Sequence, residues 1–228
     1  MMTKAKILAS IEESLKYLKK TGIEFEETFK IKELSPSKYS EKYYNTFHEG
    51  NYEKTFVVAA ENGDFDIRLS DGSFFQFTAK NEEDIHYSFF PRIEEILSFN
   101  QYVAKYLDEE NADTIEQEYE SYLSADKKPL NPCPIRYDVS KSEYKEGTHA
   151  YAHWHIGINT NIRIPSDKIC KPICFVDFVV KNFYKKEWDN AYLHNQGFRR
   201  YVCSLKNQAE IIASNNFSEE ERKLLFLT

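Results

Sequence analysis

The chain has little of what breaks or staples a fold: among 228 residues there are seven glycines, seven prolines and four cysteines. So few Gly and Pro exclude a collagen-like or low-complexity chain. Cys133, Cys170, Cys174 and Cys203 stand at no recognised zinc spacing, and Cys170-x-x-x-Cys174 reads as reduced thiols packed around a helix start. No window approaches 18 apolar residues, and Met-Met-Thr-Lys-Ala-Lys-Ile-Leu lacks the apolar run of a signal peptide. A cytoplasmic protein with no membrane association is expected. An excess of positive charge is missing too. Thirty Lys and Arg against 37 Asp and Glu give a formal net charge of −7, which counts against unspecific coating of nucleic acid. A specific or transient RNA substrate stays open. There is no glycine-rich phosphate loop, Rossmann fingerprint or G-x-S-x-G elbow, which disfavours nucleotide-driven motors and the commonest hydrolases.

What is present is aromatic and ordered, with 16 Tyr and 17 Phe. Residues 3–20 place Ile7, Leu8, Ile11, Leu15 and Leu18 at helical steps and stop near Gly22. Residues 23–31 alternate as a strand, Ser35-Pro36 opens a helix through about Phe47, and a third helix runs over 52–61. Asp71-Gly72 between β-rich runs predicts a hairpin, extended by a strand over 86–90. Helices in two pieces over 93–124 precede a break at 127–132. Beyond it lie strands, a helix from Pro172, helical character within 192–213, and a capping box at Ser218-Glu-Glu-Glu221. The expected fold is a single α+β domain over 1–228, with sub-layers 1–128 and 129–228. Its sheet is mainly antiparallel, with helices on one face and at both ends.

Half of the six histidines fall in His149-Ala-Tyr-Ala-His153-Trp-His155-Ile-Gly157. In an extended strand His149, Tyr151, His153 and His155 share one face, while Ala150, Ala152, Trp154, Ile156 and Ile158 share the other. The preceding Ile135-Arg136-Tyr137-Asp138-Val139 alternates as well. Pairing that matches the buried faces puts Arg136 and Asp138 beside the histidines. A three-residue turn at Asn159-Thr-Asn161 sets Arg163 opposite His155. The expected polar floor is Arg136, Asp138, His149, His153, His155 and Arg163. His86 and His48 stand alone and read as structural, and His194 beside Arg199 and Arg200 reads as part of a surface charge cluster.

Two imidazoles on one strand suit phosphodiester cleavage without a cofactor, one as base and one as acid. An arginine then stabilises the charge on phosphorus and Asp138 orients a ring. The substrate would be RNA or a cyclic nucleotide. The alternative is a divalent metal such as zinc held by His149, His153 and His155, or with Asp138 completing the set. A third reading has no turnover: a polar sheet that docks a partner.

The order Asp71-Gly-Ser-Phe-Phe-Gln-Phe77, Arg136-Tyr-Asp138, His153-Trp-His-Ile-Gly157, Arg163-Ile-Pro165 and Pro172 to Tyr184 resembles a bacterial family catalogued as domain of unknown function 2290. The likeness runs over most of the chain and implies no assigned activity. It does imply mobile or defence-associated gene neighbourhoods, and with them an antitoxin or another defence-system protein as partner. Residues 133–165 are also similar to small bacterial toxins of toxin–antitoxin pairs.

Overall fold

In a computed structural model the chain is described over residues 2–92, 99–107, 113–124, 133–158, 162–205, 207 and 209–224. The elements run α1 (Lys4–Thr21), β1 (Phe25–Glu27), α2 (Glu41–Glu49), α3 (Tyr52–Glu61), β2 (Ile67–Leu69), β3 (Phe74–Asn81) and β4 (Asp84–Phe90). They continue with α4 (Phe99–Tyr106), α5 (Ile115–Ser124), β5 (Ile135–Ser140), β6 (Ala152–Ile156), β7 (Arg163–Pro165) and β8 (Lys168–Ile169). Last come α6 (Pro172–Phe183), α7 (Lys185–His194), α8 (Gln196–Leu205), β9 (Glu210–Ile211) and α9 (Glu219–Leu224). Strands β1 to β7 form one antiparallel sheet in sequence order, and β8 pairs with β9 in a small second sheet. The fold is therefore α+β with a mainly antiparallel sheet. Among the described residues no helix is long and apolar enough to cross a membrane.

Alternation along the strands gives the sheet two different faces. Phe75, Phe77, Tyr87, Phe89, Tyr137 and Val139 project into a core shared with α1 and α6. Phe175 of α6 sits at its centre, its ring 5.6 Å from Trp154, 5.8 Å from Tyr87 and 6.3 Å from Phe75. Helix α6 starts at Pro172, where the lost N–H has no intrahelical partner to lose. The Ile173 N–H donates to Ser10 Oγ of α1 at 3.1 Å and so joins the two helices. On the opposite face, Phe74 and Phe90 stack at 4.9 Å beneath α2 and α3, with Tyr43, Tyr52 and Phe65 around them. The rest of that face is polar. Helices thus cover one face and also roof part of the other.

A buried ionic anchor holds that roof. Lys38 Nζ and Asp66 Oδ1 are 2.7 Å apart with both side chains at most 1% exposed, and Asp66 Oδ2 accepts from Tyr39 Oη and the Phe77 N–H. Burial works against both charges, lowering the Lys38 pKa and raising that of Asp66, while each group's attraction for the other opposes that loss. One turn on, Asp64 accepts from the Ser40 N–H and hydroxyl and from Lys30 Nζ, while Ser40 caps α2 through the Tyr43 N–H. These bonds end the turn Pro36–Lys38 as a separate 3-10 piece. The single helix expected from Ser35 to Phe47 is corrected to a 3-10 turn followed by α2.

Other expectations also shift. The strand over 23–31 shrinks to β1 and passes into a 3-10 turn at Phe29–Lys32. The Asp71-Gly72 hairpin forms, but through a three-residue loop: the Leu69 N–H donates to the Ser73 carbonyl, and Gly72 takes φ 92°, which a side chain would strain. The region 192–213 is helical in part, as expected, and closes with β9. The capping box is present, with Ser218 Oγ accepting from the Glu221 N–H and Glu221 accepting from the Ser218 N–H. The two helical pieces expected within 93–124 appear as α4 and α5, while residues 93–98 and 108–112, the expected turn at 159–161 and the break at 127–132 lie outside the described residues.

Candidate functional site

The pairing register places the polar residues in two rows across adjacent strands. Gln76, Ser88, Arg136, His155 and Arg163 stand opposite one another in the first, from β3 to β7. Thr78, His86, Asp138 and His153 form the second. Directly opposed residues have Cβ atoms about 5 Å apart, so an arginine lies on each side of His155. These rows floor a cavity of about 460 Å³ walled by Tyr39, Tyr43, Tyr44 and Phe47, with His149 and Glu143 at its edge. A larger cavity, of about 760 Å³, lies beyond the apolar face, against Trp154, Cys170, Cys174 and Trp188.

Three side chains converge on the floor. His153 Nε2 is 2.9 Å from His155 Nε2, and His155 Nε2 is 3.0 Å from Asp138 Oδ2. All three residues are buried, and their ligand-type atoms lie within 4.8 Å of one another. The His153 Nδ1–H donates to the Ala150 carbonyl at 2.9 Å, since a carbonyl can only accept, and in the neutral ring this leaves the Nε2 lone pair turned toward His155 Nε2. Burial, helped by the neighbouring His155, pushes the His153 pKa down to about 4, so the ring is neutral at pH 7. Burial works against the Asp138 charge, yet hydrogen bonds from His155 and His86 and the nearby Arg136 outweigh it. Its carboxyl is held well below the usual carboxylate range.

Asp138 is itself steadied from behind. Its Oδ1 faces His86 Nδ1 at 3.1 Å, and His86 Nε2 faces Asp84 Oδ1 at 2.7 Å. Burial would lower the His86 pKa, but these two carboxylates raise it, and a protonated ring donates from both nitrogens. A chain Asp84–His86–Asp138 thus fixes one carboxylate oxygen and leaves the other for the histidines. This is how ligating groups are commonly oriented by their neighbours. The Arg136 guanidinium lies 5.0 Å from the Phe47 ring centroid, and its Nη2 is 3.9 Å from Asp138 Oδ2.

Of the six residues expected on the floor, Arg136, Asp138, His153, His155 and Arg163 occupy it in adjacent strands. His149 lies outside β6 and reaches the cavity from the β5–β6 loop, its ring 5.0 Å from that of His153. Its Nε2 is buried with no hydrogen-bond partner among the described residues, and a carboxylate oxygen of Glu143 is 3.7 Å away. An unmet buried polar atom of this kind costs about 1–3 kcal/mol.

Two alternation readings fail at the ends of β6. Tyr151 precedes the strand and joins the apolar core, and Ile158 packs toward the α2 side after Gly157, at φ 88°, turns the chain. His86, read as a lone structural histidine, belongs to the site. Only the register of β4 against β5 reveals this. Those strands are separated by some 44 residues whose described part carries α4 and α5, and no local signal spans such a gap. His48 also lines the cavity, whereas His194 caps its own helix through the Asn190 carbonyl.

A sequence model described as an uncharacterised conserved protein family, DUF2290, matches residues 19–228. The chain belongs to the DUF2290 family. No curated protein and no solved structure matches it. DUF2290 membership assigns no activity, so any function for the chain has to be argued from the site.

Proposed function

We propose that the chain is a divalent-metal-dependent hydrolase of a phosphate ester, with Asp138, His153 and His155 as the metal ligands. One observation carries the proposal: three buried ligand atoms meet, at spacings of 2.9 and 3.0 Å. Two imidazoles and one carboxylate are a ligand set that suits a first-row divalent ion and leaves coordination positions open, as manganese, iron, cobalt or zinc would use. Once bound, such an ion would supply Lewis-acid polarisation of a phosphoryl oxygen.

The protein's own groups do the rest. Arg136 and Arg163 flank His155 and would neutralise phosphate oxygens. His153 is held by Ala150 with its lone pair turned inward, and His86 holds the far oxygen of Asp138. Neutral imidazole and ionised carboxylate are the protonation states that bind metal.

A second reading, metal-free cleavage with His153 and His155 as base and acid, gains support from the orienting contact between His155 and Asp138. Against it, the two Nε2 atoms lie 2.9 Å apart, which leaves no room for phosphorus between them. Hydrolysis of bis(p-nitrophenyl) phosphate and of a 2′,3′-cyclic nucleotide, with Mn²⁺ and with EDTA, separates the readings. The metal reading expects turnover only with the ion, lost in Asp138→Ala. Undiminished turnover in EDTA rejects it in favour of the second, and no turnover in either condition rejects phosphate-ester hydrolysis. Action in the cytoplasm as a defence or toxin effector belongs to the same proposal. It expects growth arrest on expression that disappears in His153→Ala.

A further inference from the structure

We infer that the cavity takes a mononucleotide-sized ligand, its phosphate over the arginine and histidine floor and its base against the aromatic wall of α2. The inference deepens the proposed function and rests on it for the seat of the phosphate.

Three independent features converge. Arg136 and Arg163 stand opposite His155 on either side, so an anion above His155 meets two guanidinium groups. His149 presents a buried Nε2 to the same cavity with no hydrogen-bond partner among the described residues, Glu143 standing off at 3.7 Å, and a phosphoryl oxygen or a ribose hydroxyl would supply one. The third feature is the wall. Tyr44 and Phe47, three residues apart on α2, are both half-buried and line the cavity. The tyrosine hydroxyls beside them are already committed: Tyr39 to Asp66, Tyr43 to Gln76 and Tyr44 to the Pro36 carbonyl.

A wall whose hydroxyls donate elsewhere presents mainly ring faces, that of Phe47 beside the Arg136 guanidinium. It suits the flat face of a nucleobase, whereas the hydroxyls of a bare sugar phosphate would find few partners there. The volume of about 460 Å³ falls in the range of small-molecule sites. A long polymer fits less well, since the chain carries a formal charge of −7 and polymer binding draws on many basic contacts.

The test uses the full chain with Mn²⁺ present and isothermal titration with adenosine 5′-monophosphate, ribose 5-phosphate and a ten-residue oligoadenylate. The expected result is that the nucleotide binds about 5- to 150-fold tighter than the sugar phosphate, the range that stacking of one base provides. The Tyr44→Leu/Phe47→Leu double variant keeps apolar bulk, and its folding is checked by thermal melting. It should lose that preference; because Phe47 also lies beside Arg136, ribose 5-phosphate is titrated against the same variant and the ratio of the two affinities is the readout.

Equal affinity for nucleotide and sugar phosphate, or a preference unchanged in the double variant, overturns the inference. So does tighter binding of the oligonucleotide than of the mononucleotide. A titration with Mn²⁺ alone tests the metal centre separately. An ion that binds without any nucleotide preference leaves the centre standing and removes only this inference.

Discussion

Acid should destabilise the metal-free protein through His153, by an amount that follows from its environment. The ring is 1% exposed, beside His155, with its Nδ1–H fixed on the Ala150 carbonyl, and its folded pKa is pushed down to about 4. The unfolded value is about 6.5. A group whose folded pKa is depressed contributes stability above its unfolded pKa and loses it as pH falls toward the folded one. Between pH 7.5 and 5.0 linkage gives a loss of roughly 2 kcal/mol from this ring alone. His86 acts in the opposite sense, because its raised pKa adds stability as pH falls. Asp138, depressed from an unfolded value of about 3.9, contributes mainly below this window.

The assay is urea unfolding in EDTA at the two pH values for wild type and His153→Gln, whose side chain does not titrate. The His86 contribution is common to both proteins and cancels in the difference. Wild type should lose roughly 2 kcal/mol more than the variant, or about 4–8 °C in Tm for a chain of this size. Equal losses would refute the view that a buried neutral imidazole faces the cavity.

Further outcomes follow from the same contacts. His86→Ala should weaken metal binding about 10- to 100-fold, because it frees the far oxygen of Asp138, and calorimetry on the folded variant reads this directly. Asp66→Ala should cost about 3–5 kcal/mol by leaving Lys38 charged and buried, while the double variant Asp66→Leu/Lys38→Met should recover much of that loss in chemical denaturation. Phe175→Ala should cost about 3–5 kcal/mol, since its ring meets Phe75, Tyr87 and Trp154 at the centre of the core.

How far the sequence reaches can be judged residue by residue. Wherever a strand kept strict alternation, its faces were legible, and matching buried faces was enough to put Arg136 and Asp138 on the same face as His153 and His155, the residue-by-residue pairing coming from the structure. Legibility ended where alternation did. The chain turns at Gly157, and Tyr151 precedes the strand, so both neighbours of the histidine run were misassigned from spacing alone. The contribution of His86 depended on a pairing across a long helical connection, and the aromatic wall depended on the Lys38–Asp66 and Ser40–Asp64 contacts that hold α2 over the sheet. Such contacts join residues 24 to 52 positions apart, and no local pattern records them.

The most direct measurement is calorimetric titration of the chelator-stripped chain with Mn²⁺ and Zn²⁺, in wild type and in Asp138→Ala, His153→Ala and His155→Ala. The metal centre predicts one saturable ion per wild-type chain and its loss in each folded variant, with the bound ion raising wild-type stability by about 2.7 kcal/mol at a hundredfold excess over Kd. No saturable binding, or binding undisturbed in all three variants, would contradict it.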